Sequence, residues 1–200
     1  MKLLDKIKEE KIYGIIREDD SAKAYELACA YIEGGIKVIE LNSPLDVTKK
    51  ISEKYSDVII SQGGIITTQQ ANEAMLSGAT VISSPIFQTN LVRFATCYQV
   101  FLIPSVTTPN EAYSAWRARM PLIKIYPVAE MGGVEYIREM VKPMPFLNLL
   151  PCGFVKINEV TGYLKAGAKA VGIGRELYAK DSYKEIIETA KIVVDMVRKL

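Results

Sequence analysis

Eight short apolar runs recur along the 200-residue chain, each followed by turn residues: IYGIIRE (12–18), KVIELNS (37–43), VIISQGG (58–64), TVISSPI (80–86), VFLIPSV (100–106), LIKIYPV (122–128), FLNLLPCG (146–153) and AVGIG (170–174). Successive runs start roughly 20 to 25 residues apart, the length of one strand, one helix and two tight loops. Between them SAKAYELACAYIEGG (21–35), TTQQANEAMLSGA (67–79) and KINEVTGYLKAGA (156–168) carry helical periodicity, open near a polar cap and close on glycine. EGGIKVIEL, LSGATVISS and KAGAKAVGI share one punctuation, a glycine followed within a few residues by the next apolar run. Alternating β and α elements build parallel sheets, because parallel neighbours need a crossover. Eight such units predict a (β/α)8 TIM barrel at the short end of its size range. The competing doubly wound open sheet would place a G-x-G-x-x-G after the first run and an acidic residue about 20 positions beyond, and neither is present. No linker or low-complexity segment interrupts the pattern, so residues 1–200 read as one barrel domain.

The start, MKLLDKIKEEKIYG, alternates charges after two apolar residues. It reads as a short capping helix rather than a signal peptide or membrane span, which places the protein in the cytoplasm. Twenty-five basic and 23 acidic residues are mixed along the sequence without a like-charged block, an arrangement that argues against nucleic-acid or membrane binding. Cys29, Cys97 and Cys152 are too few and too scattered for a disulfide framework or a zinc motif, and read as buried small residues. Histidine is absent. That excludes His-based triads, imidazole acid–base chemistry and His metal sites, leaving carboxylates as the one way to hold an ion such as magnesium.

In such a barrel the chemistry gathers at the C-terminal ends of the strands. The residues there include Arg17, Glu40, Asn42, Gly64, Ser84, Pro85, Ser105, Lys124, Tyr126, Cys152, Gly153, Gly174 and Arg175. Period-two alternation puts Lys124 and Tyr126 on one face and Ile123 and Ile125 on the other. In the second run it pairs Val38 with Glu40 against Ile39 and Leu41. Lys124 and Glu40 are thus both expected in the lumen. A lysine so placed has two readings: a structural ion pair with the glutamate, or a desolvated amine that attacks a ketone while Glu40 moves protons. PCGF (151–154) and GIGRELY (172–178) are glycine-containing turns of the kind that present backbone N–H groups to a phosphate, with Arg175 adding charge.

The ordered set IPSVTTPNE, IKIYPVAEMGG, LLPCGF and AGAKAVGIGRELY, preceded by GGIKVIEL, resembles the 2-keto-3-deoxy-6-phosphogluconate (KDPG) aldolase family, which includes KDPG/4-hydroxy-2-oxoglutarate aldolases. The resemblance runs over nearly the whole chain. It implies a (β/α)8 barrel, usually a homotrimer, that cleaves a phosphorylated 2-keto-3-deoxy sugar acid to pyruvate and an aldehyde without metal or cofactor. The family's Schiff-base lysine falls on Lys124 in KIYP, its second-strand glutamate on Glu40 in IELN, its first-strand arginine on Arg17 in IIRED, and its S-P pair on Ser84 and Pro85. The remaining substrate-binding positions fall on Gly64, Gly153, Phe154, Gly174 and Arg175.

Four positions depart from the family pattern. Pro44 stands where an arginine would meet the pyruvate carboxylate, Gly64 replaces a hydroxyl residue, Phe154 a glycine of the phosphate turn, and Arg175 a serine. Loss of a bidentate arginine weakens carboxylate binding, and Arg17 is left as the carboxylate's partner. Phe154 is expected to crowd an anion approaching the backbone. The altered mouth keeps open a second reading, a non-catalytic barrel of this family acting in binding or assembly.

Overall fold

The structure is a computed structural model describing residues 3–200. Its strands are β1 Ile12–Arg17, β2 Val38–Asn42, β3 Ile59–Gln62, β4 Val81–Ser84, β5 Phe101–Val106, β6 Ile123–Ile125, β7 Leu149–Pro151 and β8 Val171–Ile173. Each lies inside one of the eight apolar runs. All pair in parallel, in the order β7-β6-β5-β4-β3-β2-β1-β8, with helices in the crossovers. This is a nearly closed (β/α)8 barrel. At the remaining seam, between β7 and β8, the Lys169 N–H donates to Leu149 O at 2.9 Å.

Alternation along the strands sorts the core into two layers. Ile39, Leu41, Ile60, Ile82, Ile123 and Ile125 pack outward against helix residues such as Ala28, Val47, Ala71 and Ala112. Tyr13, Val38, Ile59, Val81, Ile103, Leu122 and Leu150 fill the lumen, and Ile7 from the helix Leu3–Glu10 joins them from below. The predicted capping helix is therefore present over Leu3–Glu10; the first two residues of that segment lie outside the described ones. The C-terminal helix Tyr183–Arg198 seals the outer ring against the helix Ser21–Glu33. Contact there is so close that a Cβ on Gly34 would sit 2.3 Å from Ala190 Cβ.

Local chemistry fixes where the helices begin and end. Thr67 and Thr108 each form a capping box, with Gln70 and Glu111 respectively, a device contributing about 1 kcal/mol per cap. Gly35, Gly78 and Gly167, the three shared punctuation glycines, have φ of 92°, 93° and 107°, the left-handed turn that stops a helix cheaply only at glycine. One reading is corrected here. Cys29 and Cys152 are buried, but Cys97 is exposed. On the helix Thr89–Tyr98 the buried stripe is Leu91 and Ala95, and Cys97, two positions beyond Ala95, points the other way. Among the described residues no helix is long and apolar enough to cross a membrane.

Candidate active site

Glu40 on β2, Ser83 on β4 and Lys124 on β6 occupy equivalent inward positions of alternate strands, one layer of the barrel interior. Lys124 and Glu40 are 5% and 4% exposed. The Lys124 Nζ donates to Glu40 Oε2 at 2.5 Å and to Ser83 Oγ at 2.6 Å, while Asn42 Nδ2 donates to Glu40 Oε1 at 3.1 Å. Asn42 is in turn held against the backbone of Gly63, where a Cβ would lie 2.4 Å from Asn42 Oδ1. The Lys124 Nζ also lies 5.7 Å from the centroid of the Tyr13 ring. Burial pushes the Glu40 carboxyl up, but the charge of Lys124 and hydrogen bonds from Lys124, Asn42 and Ser83 outweigh it and hold the carboxyl below its ordinary value. Burial pushes the Cys152 thiol up to about 12. It is therefore protonated at neutral pH and no rival nucleophile.

This pair makes stability depend on pH. A carboxyl whose folded value is lowered contributes stability above its unfolded value near 4.5, and that stability is lost as pH falls toward the folded value. The urea midpoint is therefore expected to fall between about pH 5 and pH 3. In the double variant Glu40→Leu/Lys124→Met the fall is expected to be shallower, with stability at neutral pH equal to or above that of the parent, because an apolar pair needs no desolvation.

Of the ten residues to which the resemblance gives a site role, nine line one cavity of about 410 Å³ at the C-terminal mouth and Ser84 does not. Lys124 and Glu40 stand at its foot; Arg17, Gly64, Pro85, Gly153, Phe154, Gly174 and Arg175 surround them. Arg17 ends β1 and Arg175 opens the short helix Arg175–Tyr178. Among the described residues neither arginine is in an ion pair. Pro44 is exposed and lies outside the cavity. The chain before it is fixed by Gln62, whose Nε2 donates to Ser43 O at 3.0 Å and whose Oε1 accepts from Thr48 Oγ1 at 2.5 Å.

Phe154 lines the outer edge of the cavity. Its side chain is 66% exposed at the rim and its φ is +56°, so the backbone keeps the left-handed turn that glycine adopts with least strain. The preceding Gly153 is constrained more severely: φ is +97°, and a Cβ would lie 2.9 Å from Pro127 Cα. Gly153→Ala is expected to cost at least about 1–3 kcal/mol of stability, read from urea unfolding, because both the left-handed strain and a backbone clash must be relieved.

Ser83 was missed by sequence reasoning, which singled out Ser84. Ser84 is buried on the opposite face of β4, its Oγ accepting from the Ile86 N–H at 3.3 Å. Alternation from Val81, a lumen residue, points to Ser83 and was the available signal. Tyr13 and Ser61, both fully buried near the pair, gave none beyond membership in apolar strands.

A (β/α)8 barrel that buries an amine against a carboxylate at the foot of its mouth is equipped for amine chemistry on a carbonyl, and this is the class the fold and site define. The particular family follows from comparison: the sequence profile of the KDPG and KHG aldolase family matches residues 3–193, and the chain belongs to that family. The 2-dehydro-3-deoxy-phosphogluconate aldolase of Haemophilus influenzae is 23% identical over 206 aligned positions covering 98% of this chain and 97% of the relative. Among solved structures, the 2-keto-3-deoxy-6-phosphogluconate aldolase of Zymomonas mobilis ZM4 with 3-phosphoglycerate superposes with a TM-score of 0.87 at 21% identity, covering 97% and 96% of the two chains. The KDPG aldolase of Legionella pneumophila, with pyruvate captured as a covalent carbinolamine intermediate, does so with a TM-score of 0.86 at 22% identity over 96% and 98%. At these identities the two structures establish the shared fold.

Proposed function

We propose that this chain is a Schiff-base (class I) carbon–carbon lyase that cleaves a 2-keto-3-deoxy sugar acid phosphate or a 4-hydroxy-2-oxo acid to pyruvate and an aldehyde, with Lys124 as nucleophile and Glu40 as acid and base. The observation that carries this reading is the buried Lys124–Glu40 pair, 2.5 Å apart and open to the mouth cavity. Lys124 passes a proton to Glu40 across that contact, and the neutral amine attacks the C2 carbonyl carbon. Glu40 returns the proton to the carbinolamine hydroxyl, which leaves as water and gives the iminium. Glu40 then takes the proton from the C4 hydroxyl; the C3–C4 bond breaks, an aldehyde leaves, and its bonding electrons form the enamine. Protonation at C3 and addition of water release pyruvate and the free amine. Ser83, hydrogen-bonded to Nζ at 2.6 Å, orients the amine.

Arg17 is the partner for the substrate carboxylate. Arg175, with the backbone of the Gly153–Phe154 turn, takes the distal anion. The altered residues Pro44, Gly64, Phe154 and Arg175 favour one other reading, a non-catalytic barrel acting in binding or assembly. Pyruvate with sodium borohydride separates the two. The lyase reading expects one reduced pyruvyl group per chain, mapped by mass spectrometry to Lys124; no adduct with pyruvate or other 2-keto acids would favour the non-catalytic barrel. Arg175→Ala is expected to raise KM for a phosphorylated substrate by about tenfold or more while leaving the pyruvate adduct intact, since a lost charged hydrogen bond is worth about 1.5–3 kcal/mol. A homotrimer in the cytoplasm belongs to the same proposal, on the family resemblance. Sedimentation of the purified chain tests the assembly.

A further inference from the structure

A second cavity, of about 330 Å³, lies at the opposite end of the barrel, where the strands begin. Lys8, Lys11, Lys165 and Lys169 line it together with Leu164, Ala168 and Leu200, and no acidic side chain is among these described residues. Helix ends and strand entrances converge there. Lys8 lies in the last turn of the helix Leu3–Glu10 and Lys165 in the last turn of the helix Val160–Lys165, while Lys11 and Lys169 stand just before the neighbouring strands β1 and β8. Backbone bonds fix the latter two: the Lys169 N–H donates to Leu149 O at 2.9 Å, and Lys11 O accepts from the Val171 N–H at 2.8 Å.

Helix ends account for part of this charge, because a cation near the last carbonyls of a helix is stabilising. That covers Lys8 and Lys165. Lys11 donates from Nζ to Val197 O at 3.2 Å, which occupies one of its three donors. None of the four lysines enters an ion pair among the described residues, although Lys8, Lys11 and Lys169 are half-buried. Glu9 and Glu10, on the same helix as Lys8, do not line the cavity, and the charges acting on Glu10 are those of Glu9, Arg198, Lys37 and Asp57. Residues on this face of a barrel ordinarily serve stability, and four like charges around one cavity do the reverse. Lys11 adds backbone strain: its φ is +60°, a left-handed turn that glycine or asparagine holds more cheaply.

We propose that this cavity is a binding site for an oligophosphate, a small ligand of linked phosphoryl groups, held by the ammonium groups of Lys8, Lys11, Lys165 and Lys169. Lysine meets phosphate as a compact point charge with three rotatable donors, whereas a carboxylate ligand is better matched by the planar fork of arginine, and no arginine lines the cavity. Four cations around one small cavity are offset by an anion of several charges, not by one of a single charge. The mixed charge along the rest of the chain offers no track for a nucleic acid, so the ligand is a small molecule. The site is at the far end of the barrel from Lys124, and the inference does not rest on the lyase reading.

Isothermal titration calorimetry of the full chain with sodium tripolyphosphate, at constant ionic strength, tests the proposal. The proteins compared are the parent, Lys8→Gln/Lys169→Gln, Lys165→Gln and Arg175→Ala, the last reporting any binding at the mouth. Saturable binding is expected in the parent, weakened about tenfold or more in the double variant and about threefold in Lys165→Gln, whose side chain is exposed. Arg175→Ala is expected to leave the tripolyphosphate affinity of this site unchanged. Sulfate, a single doubly charged centre, is expected to bind the parent at least about tenfold more weakly than tripolyphosphate. Should the double variant not fold, Lys165→Gln decides on the same titration. Absence of saturable binding in the parent overturns the proposal, as does an unchanged affinity in the lysine variants. A loss confined to Arg175→Ala overturns it by moving the anion to the mouth, and equal affinity for sulfate overturns the choice of an oligophosphate. None of these readings requires turnover.

Discussion

Lys124→Ala is expected to abolish the pyruvate adduct and to lower kcat/KM for aldol cleavage by about 10⁵-fold or more, the scale on which deleting a covalent nucleophile acts. It also strands a carboxylate. Glu40 is 4% exposed and its charge is balanced at 2.5 Å by Lys124 alone, so truncation of the lysine is expected to cost about 3–5 kcal/mol, relieved in part when Glu40 takes up a proton. Lys124→Arg separates the two effects. A guanidinium keeps the charge and can keep the contact with Glu40, but it forms no Schiff base. Urea unfolding of Lys124→Arg should therefore lie closer to the parent than that of Lys124→Ala, while borohydride trapping gives no adduct in either. An adduct in Lys124→Arg would move the nucleophile to another lysine, of which the mouth holds Lys156.

Glu40→Gln is expected to lower kcat by about 10²–10⁴-fold with little change in KM, the contribution of a positioned general acid–base group. The amide retains the shape of the carboxylate and can accept from the Lys124 Nζ, but it can neither receive the lysine's proton nor deliver it to the departing hydroxyl. Adduct formation with pyruvate and borohydride should slow without vanishing. That outcome distinguishes it from the lysine variants. The acid limb of the kcat/KM profile, which reports the free enzyme's essential base, should disappear with the carboxylate, and steady-state rates measured across pH in both proteins check this.

The strands and the lumen placement of Lys124 and Glu40 were legible because period-two alternation and the 20-odd-residue recurrence are local signals. Glu40 and Lys124 lie 84 positions apart, and their contact depends on β2 and β6 being brought across a nearly closed barrel, which no local pattern reports. Ser83 was obscured by its neighbour, since TVISSPI offers two serines and only the register of Val81 chooses between them. Tyr13 and Ser61 sit in IYGIIR and IISQ, where a tyrosine and a small hydroxyl read as core filler, and only the pairing of β1 and β3 with β2 brings them into the layer below Glu40. For Phe154 the side-chain volume is visible in sequence, while the φ of +56° and the exposure of the ring at the rim are not.

The seam between β7 and β8 bears on how such a protein diversifies. The two turns assigned to the distal anion, Gly153–Phe154 and Gly174–Arg175, follow the two strands that fail to ladder together, and the side chain of Cys152 occupies the gap, with its sulfur 2.1 Å from where a Cβ of Gly172 would stand. Across the lumen, β2, β4 and β6, which carry Glu40, Ser83 and Lys124, are each hydrogen-bonded to a strand on either side. The proposed reaction and the proposed recognition of the distal anion are thereby mounted on differently hydrogen-bonded parts of the sheet. Under the proposed function, drift in the seam turns re-sizes the far end of the mouth for a new leaving aldehyde while the strands that carry the amine and its carboxylate keep their pairing on both sides.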